Sequence, residues 1–166
     1  MINFKKIGLL EILVLFSAFY VISTLIWTAS TRSSVEEKAN LIKSNHMMVV
    51  EFVNNEINKC TNADNQLKTS WGDMCNGVWS SKKIINYINK SMKLKNLSSN
   101  NSNLVKSAQD PRLQAEGKAG QSIEIGVIFI SSTDFESEPG SEWIIGTCVK
   151  SPCVAAGNNE LTSVYR

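Results

Sequence analysis

The chain has 166 residues, and its 17 lysines and arginines against 15 carboxylates leave a net charge of +2, which argues against a polyanionic partner. The basic residues are scattered and not interleaved with aromatics, so direct nucleic-acid binding has no support either. There is no G-x-S-x-G elbow, phosphate loop or histidine pair to suggest an enzyme, and the length allows one small soluble domain beyond an apolar N-terminal run.

That run extends from Ile7 to Trp27, IGLLEILVLFSAFYVISTLIW, behind a short basic segment, MINFKK. Its 21 residues would reach about 31 Å as a helix, the thickness of a hydrocarbon core. Glu11 is its only charge, and an ionised side chain at such a place costs roughly 2.5 to 3.5 kcal/mol, less near an interface. Two readings follow: the carboxylate snorkels to the headgroups, or it pairs with a cation. Lys5 and Lys6 before the run, against Arg32 and Lys38 interrupted by Glu36 and Glu37 after it, put the N-terminus in the cytoplasm and the rest outside by the positive-inside rule. A cleaved signal peptide competes, but the run is longer than the usual apolar region of one.

A second helical pattern continues from the first. Val35, Ala39, Ile42, His46, Val49, Val53, Ile57 and Cys60 recur at gaps of three and four, an apolar stripe on an amphipathic helix, and no proline or glycine interrupts the chain from Leu9 to Cys60. One helix of about 50 residues is expected, ending at the first cysteine. His46 reads as a stripe or core residue rather than a ligand, because no second histidine shares its site.

The texture then shortens. Thr61 to Gly77 reads as a loop pinned by cysteines, with Trp71 and Trp79 as core aromatics against it or as exposed binding residues. A short helix follows, capped by Ser80 or Ser81 and turning Ile84, Ile85, Ile88 and Met92 inward. Asn96 to Asn103 is a polar linker, and Asn89, Asn96 and Asn100 open glycosylation sequons of little weight in an asparagine-rich chain. Strands are expected at Ser122 to Ser131, Glu142 to Lys150, Cys153 to Ala156 and Leu161 to Tyr165, forming a small antiparallel sheet. Between the first two, Asp134, Glu136, Glu138 and Glu142 offer oxygens to a Ca2+ ion. A solvated acidic turn is the competing reading, since the spacing matches no defined calcium loop. No other cofactor is expected.

Four cysteines in an exported domain read as two disulfides, and their clustering favours Cys60 with Cys75 and Cys148 with Cys153. A zinc site would need C-x14-C and C-x4-C ligand pairs with no close knuckle.

Taken together, the basic MINFKK, the span opening IGLLEILV, the helix through ANLIKSNHMMVVEFVNNEINKC, the WGDMC loop and the late C-x4-C pair resemble a type IV pilin or a pseudopilin of the same superfamily, over nearly the whole chain. The resemblance implies an α+β fold, a long N-terminal helix packed on a small antiparallel head. Its parts would be a leader (1–6), a membrane and filament-core half of the helix (7–28), an amphipathic half (29–60) and a head (61–166). It implies trimming by a prepilin peptidase between Lys6 and Ile7, residence in the inner membrane, then assembly into a filament on a bacterial surface. Partners would be further copies, other pilins and the inner-membrane assembly machinery. Glu11 would neutralise a neighbour's N-terminal ammonium. Two departures stand out: the residue before the cut, usually glycine, is Lys6, and the proline common in the membrane half is missing. The alternatives are a secretion pseudopilin and a single-pass anchored periplasmic binding or sensory domain.

Overall fold

A computed structural model describes residues 8–61, 67–95, 103–118, 124–132, 136–137 and 141–166. The chain divides into two units, with the boundary between Glu37 and Lys38, and one helix, α1, runs Leu9–Thr61. The absence of glycine and proline along α1 explains its length.

In the first unit six hydroxyl side chains of α1 find acceptors on the helix itself. Ser17, Ser23, Thr24, Thr28, Thr31 and Ser34 each donate to a carbonyl three or four residues back, at 2.8–3.1 Å. These hydroxyls therefore make no demand on water. Every large apolar side chain described from Ile12 to Trp27 is exposed, on all sides of the helix.

The second unit is built on the other part of α1. Here burial follows one stripe: Ala39, Ile42, His46, Val49, Val53 and Ile57 are buried at gaps of three and four, while Asn54, Asn55 and Asn58 on the opposite side are exposed. The stripe packs on a mixed four-stranded sheet in the order β2-β3-β5-β6. Its strands are β2 (Val105–Ser107), β3 (Ile128–Ser132), β5 (Glu142–Cys148) and β6 (Asn159–Tyr165). A separate two-stranded pair joins β1 (Trp79–Ser80) to β4 (Glu136–Ser137). The helix α2 (Ser81–Ser91) follows β1, with Ser80 at its N-cap; Ile84, Ile85 and Ile88 are buried and Met92 is half-buried against the core.

The expected wholly antiparallel sheet is corrected in one place. β2 runs parallel to β3, pairing Val105 with Ile128. A parallel neighbour needs a crossover rather than a hairpin, and the short helix α3 (Pro111–Ala115) supplies it, started by Asp110, whose carboxylate accepts from the Arg112 N–H at 2.9 Å. α3 lies on the face of β5 away from α1. Only glycine fits beneath it: a Cβ at Gly146 would sit 2.4 Å from the Pro111 carbonyl oxygen. The strand expected at Cys153 to Ala156 is instead a turn, held by Ala155 N–H to Pro152 O at 3.1 Å and Asn158 N–H to Ala155 O at 3.0 Å. Cys153 is tied to Cys148 at the end of β5, so the five residues 154–158 are taken up in reversing the chain and β6 begins at Asn159. The first expected strand also starts late, at Ile128, after a turn in which Gly126 has φ +85°.

Candidate functional site

Two regions carry the candidate chemistry, and the first is the apolar part of α1. Glu11 lies in the opening turns of the helix. Lys6 and Ile7, the expected cleavage pair, lie outside the described residues. From Ile12 onward the segment is long and apolar enough to cross a membrane by length and composition, and none of its most apolar window is buried. Monomeric soluble proteins seldom expose more than a few hundred Å² of contiguous apolar surface, and larger patches mark protein or membrane contacts.

The second region is the loop after α1, closed by the disulfide expected from the cysteine spacing and fixed further by side-chain bonds that local sequence patterns do not reveal. The Cys60–Cys75 disulfide closes it, with Cα atoms 5.0 Å apart. Glu56, buried on the stripe of α1, accepts from the Ser70 N–H at 2.7 Å and the Ser70 hydroxyl at 2.6 Å, and Lys59 approaches it at 3.6 Å. Asp73, also buried, accepts from the Ser80 N–H at 2.9 Å and pairs with Lys83. The turn between is made by Gly72, at φ +94°. From the far end of the chain Arg166 donates to the carbonyls of Cys75 and Gly77 and lays its guanidinium 4.0 Å from the centre of the Trp79 ring. Burial lowers the pKa of this guanidinium, and Asp73 opposes that shift. Trp71 and Trp79 are core residues, in edge-to-face contact at 5.0 Å, and Trp143 lies 6.5 Å from Trp79.

His46 joins α1 to the sheet. Its Nδ1 lies 3.0 Å from the Thr147 hydroxyl of β5 and its Nε2 3.0 Å from the Thr162 hydroxyl of β6, and it is wholly buried. Burial pushes its pKa down to about 4, with Glu160 pulling the other way. It is a neutral structural histidine, not a base facing a pocket.

Among the described residues, no cluster of three or more His, Cys, Asp or Glu side chains is placed to hold a metal ion. Asp134 and Glu138 of the expected calcium set lie outside those residues, and Glu136 falls in β4. Glu142 is paired with Arg112 at 3.2 Å. All four cysteines are in disulfides, Cys148 with Cys153 as well as Cys60 with Cys75. Of the sequons, Asn89 is engaged: its amide donates to Val105 O at 2.8 Å and accepts from Val105 N–H at 3.0 Å.

The residues that pattern reading missed are Glu56, Asp73, Asn89 and Arg166. Glu56 had a signal, a carboxylate beside Val53, Ile57 and Cys60 on an otherwise apolar stripe, where burial demands a donor. The others depend on contacts far apart in sequence. Comparison with family models, curated proteins and solved structures finds no match to this chain.

Proposed function

We propose that this chain is the subunit of a helical filament of the type IV pilin kind, anchored in a membrane by residues 7–28 before assembly and packed by the same residues afterwards. One observation carries the reading: along a single helix, an all-round exposed apolar segment gives way to a stripe fully engaged with a disulfide-stapled α+β head. A side chain such as Leu or Phe gains about 1.5 to 3 kcal/mol on leaving water, so a segment of this kind requires lipid or other apolar helices around it. Lipid serves the free subunit and neighbouring helices the assembled one. Glu11 then fixes the register. Cleavage between Lys6 and Ile7 leaves an ammonium on residue 7, and a neighbour's Glu11 neutralises it inside the apolar core. Head-to-tail contacts that do not close produce an open filament, pilus and secretion pseudopilus alike.

The test is Glu11→Ala in the native host. Membrane insertion should hold or improve, since roughly 2.5 to 3.5 kcal/mol of burial cost disappears. Sheared filaments, imaged by negative stain and identified by mass spectrometry, should be lost, because each added subunit leaves an unpaired buried ammonium costing about 3 to 5 kcal/mol. Wild-type filament yield from Glu11→Ala, or no filament from the native chain, would replace this reading with a membrane-anchored domain.

A further inference from the structure

The two edges of the four-stranded sheet are treated differently. At the β2 edge, only three residues long, the Asn89 amide bonds both backbone groups of Val105, as a neighbouring strand would. At the other edge lies β6, seven residues long, NELTSVY, with no proline and no lysine to discourage pairing.

The ladder shows which groups of β6 are left. The bonds at its ends, Arg166 N–H to Ser141 O at 3.2 Å and Val149 N–H to Asn158 O at 2.7 Å, make 166/141 and 158/149 hydrogen-bonded pairs. Antiparallel pairs alternate, so in the register Glu142↔Tyr165 to Cys148↔Asn159 the even-numbered residues of β6 bond to β5. The N–H and C=O groups of Asn159, Leu161, Ser163 and Tyr165 therefore point away from the sheet. None of these backbone groups has a hydrogen-bond partner among the described residues. Leu161 and Tyr165 are 45% and 67% exposed. Both stand on the α3 side of the sheet, opposite Gly146 and Glu142 of β5.

We infer that β6 is an interface for a second copy of this chain, joined edge to edge about a two-fold axis through Ser163. A row of alternating donors and acceptors is matched by extended polypeptide, and a second copy offers the same seven-residue edge, the longest strand edge among the described residues that carries no side-chain cap. The axis follows from the side chains. Centred on Ser163, an antiparallel pairing sets Leu161 opposite the other copy's Tyr165 twice over and Thr162 opposite Val164, with no like charges facing; Glu160 and Arg166 also come opposite, each already held within its own copy, Glu160 by Lys43 at 2.9 Å and Arg166 by the carbonyls of Cys75 and Gly77. Leu161, Ser163 and Tyr165 then exchange their outward backbone bonds with the same three residues across the axis. Centred one residue earlier, on Thr162, the pairing sets Leu161 against Ser163 and Tyr165 against Asn159, leaving both apolar side chains beside polar ones.

This inference does not rest on the filament reading, and the experiment separates them. The full chain is studied in detergent micelles, and backbone amide exchange is read residue by residue by NMR at high concentration and after dilution. The amides of Leu161, Ser163 and Tyr165 should exchange about tenfold more slowly in the concentrated sample, while those of Thr162 and Val164, already bonded to β5, stay slow in both. Leu161→Lys with Tyr165→Lys puts like charges across the axis and should abolish the concentration dependence; Leu161→Glu with Tyr165→Lys puts opposite charges there and should restore it. Ser163→Pro, which removes an outward N–H without touching the inner ladder, should abolish it too. Glu11→Ala should leave it intact even when filaments are lost. Exchange at the three amides that is independent of concentration, fast or slow, overturns the inference, as does concentration-dependent protection that survives the double-lysine variant.

Discussion

Residues 12–37 and 38–61 share one helix, yet water is excluded from a stripe of the second and from none of the first. In the later residues apolar side chains recur every three or four positions, so the helix has one face to bury, and β3, β5, β6 and α2 cover it. In the earlier ones Leu13, Leu15, Phe16, Phe19, Ile22 and Leu25 point in all directions, so no single surface could cover them. The difference separates two uses of hydrophobicity, one fulfilled within the chain and one that waits for surroundings. Substitutions that address each part alone put it to the test.

The largest effect on the head should come from Trp79→Ala. Trp79 is wholly buried, donates from Nε1 to Met74 O at 3.2 Å, touches two other tryptophans and carries Arg166 on its ring. Removing it should cost about 3 to 5 kcal/mol in denaturant unfolding of the head. It should leave the membrane partition of residues 12–27 unchanged. A loss below about 1 kcal/mol would mean that the tryptophan cluster is not the centre of this core.

Acid comes next, acting through a buried group of the second region. His46 has a folded pKa of about 4 against 6.5 unfolded, so the unfolded chain binds the proton more readily. This contribution is fully present above pH 6.5, is lost as pH falls from there toward 4, and is constant below. The swing amounts to about 3 kcal/mol. His46→Gln should flatten that part of the stability–pH curve, measured by urea unfolding between pH 7 and 4. An unchanged slope would assign the acid sensitivity to other groups.

The staple between the regions' end and the head is worth a similar amount. Closing the loop from Cys60 to Cys75, a separation of 15 residues, contributes about 3 kcal/mol in the chain-entropy model. Cys60→Ser with Cys75→Ser should lower head stability by that much. The five-residue separation of Cys148 and Cys153 should contribute less. Equal losses for the two bridges would show that the local bonds of Glu56 and Asp73 already hold the larger loop.

How much of this was legible in the sequence follows the range of the interactions. The helix, its change of character, the inward isoleucines of α2 and the approximate positions of β3 and β5 are periodic signals, readable within a dozen residues. The parallel β2 was not, because its three residues become a strand only beside β3, more than twenty positions on. The strand misplaced to Cys153 shows the converse: Val154, Ala155 and Ala156 have the composition for one, but the disulfide and the Asn158 and Asn159 side chains bend the chain into a turn. At the candidate site, Glu11 was visible as a charge among apolar residues. Arg166 on Trp79 was not, since nothing local marks a residue whose partners lie 89 and 91 positions away.

The smallest expected effect is the sharpest test of the comparison. Phe19 is 71% exposed and Val53 wholly buried, on the same helix. Val53→Ala removes core contacts and should destabilise the head by about 2 kcal/mol. Phe19→Ser removes a larger apolar side chain, yet head stability in micelles, followed by near-ultraviolet circular dichroism, should stay within about 0.5 kcal/mol of the native chain. What should fall instead is retention in the membrane fraction, since serine gains nothing from hydrocarbon. Should Phe19→Ser weaken the head as much as Val53→Ala does, residues 12–27 would be packing on the protein itself, and neither lipid nor a neighbouring helix would be needed to explain them.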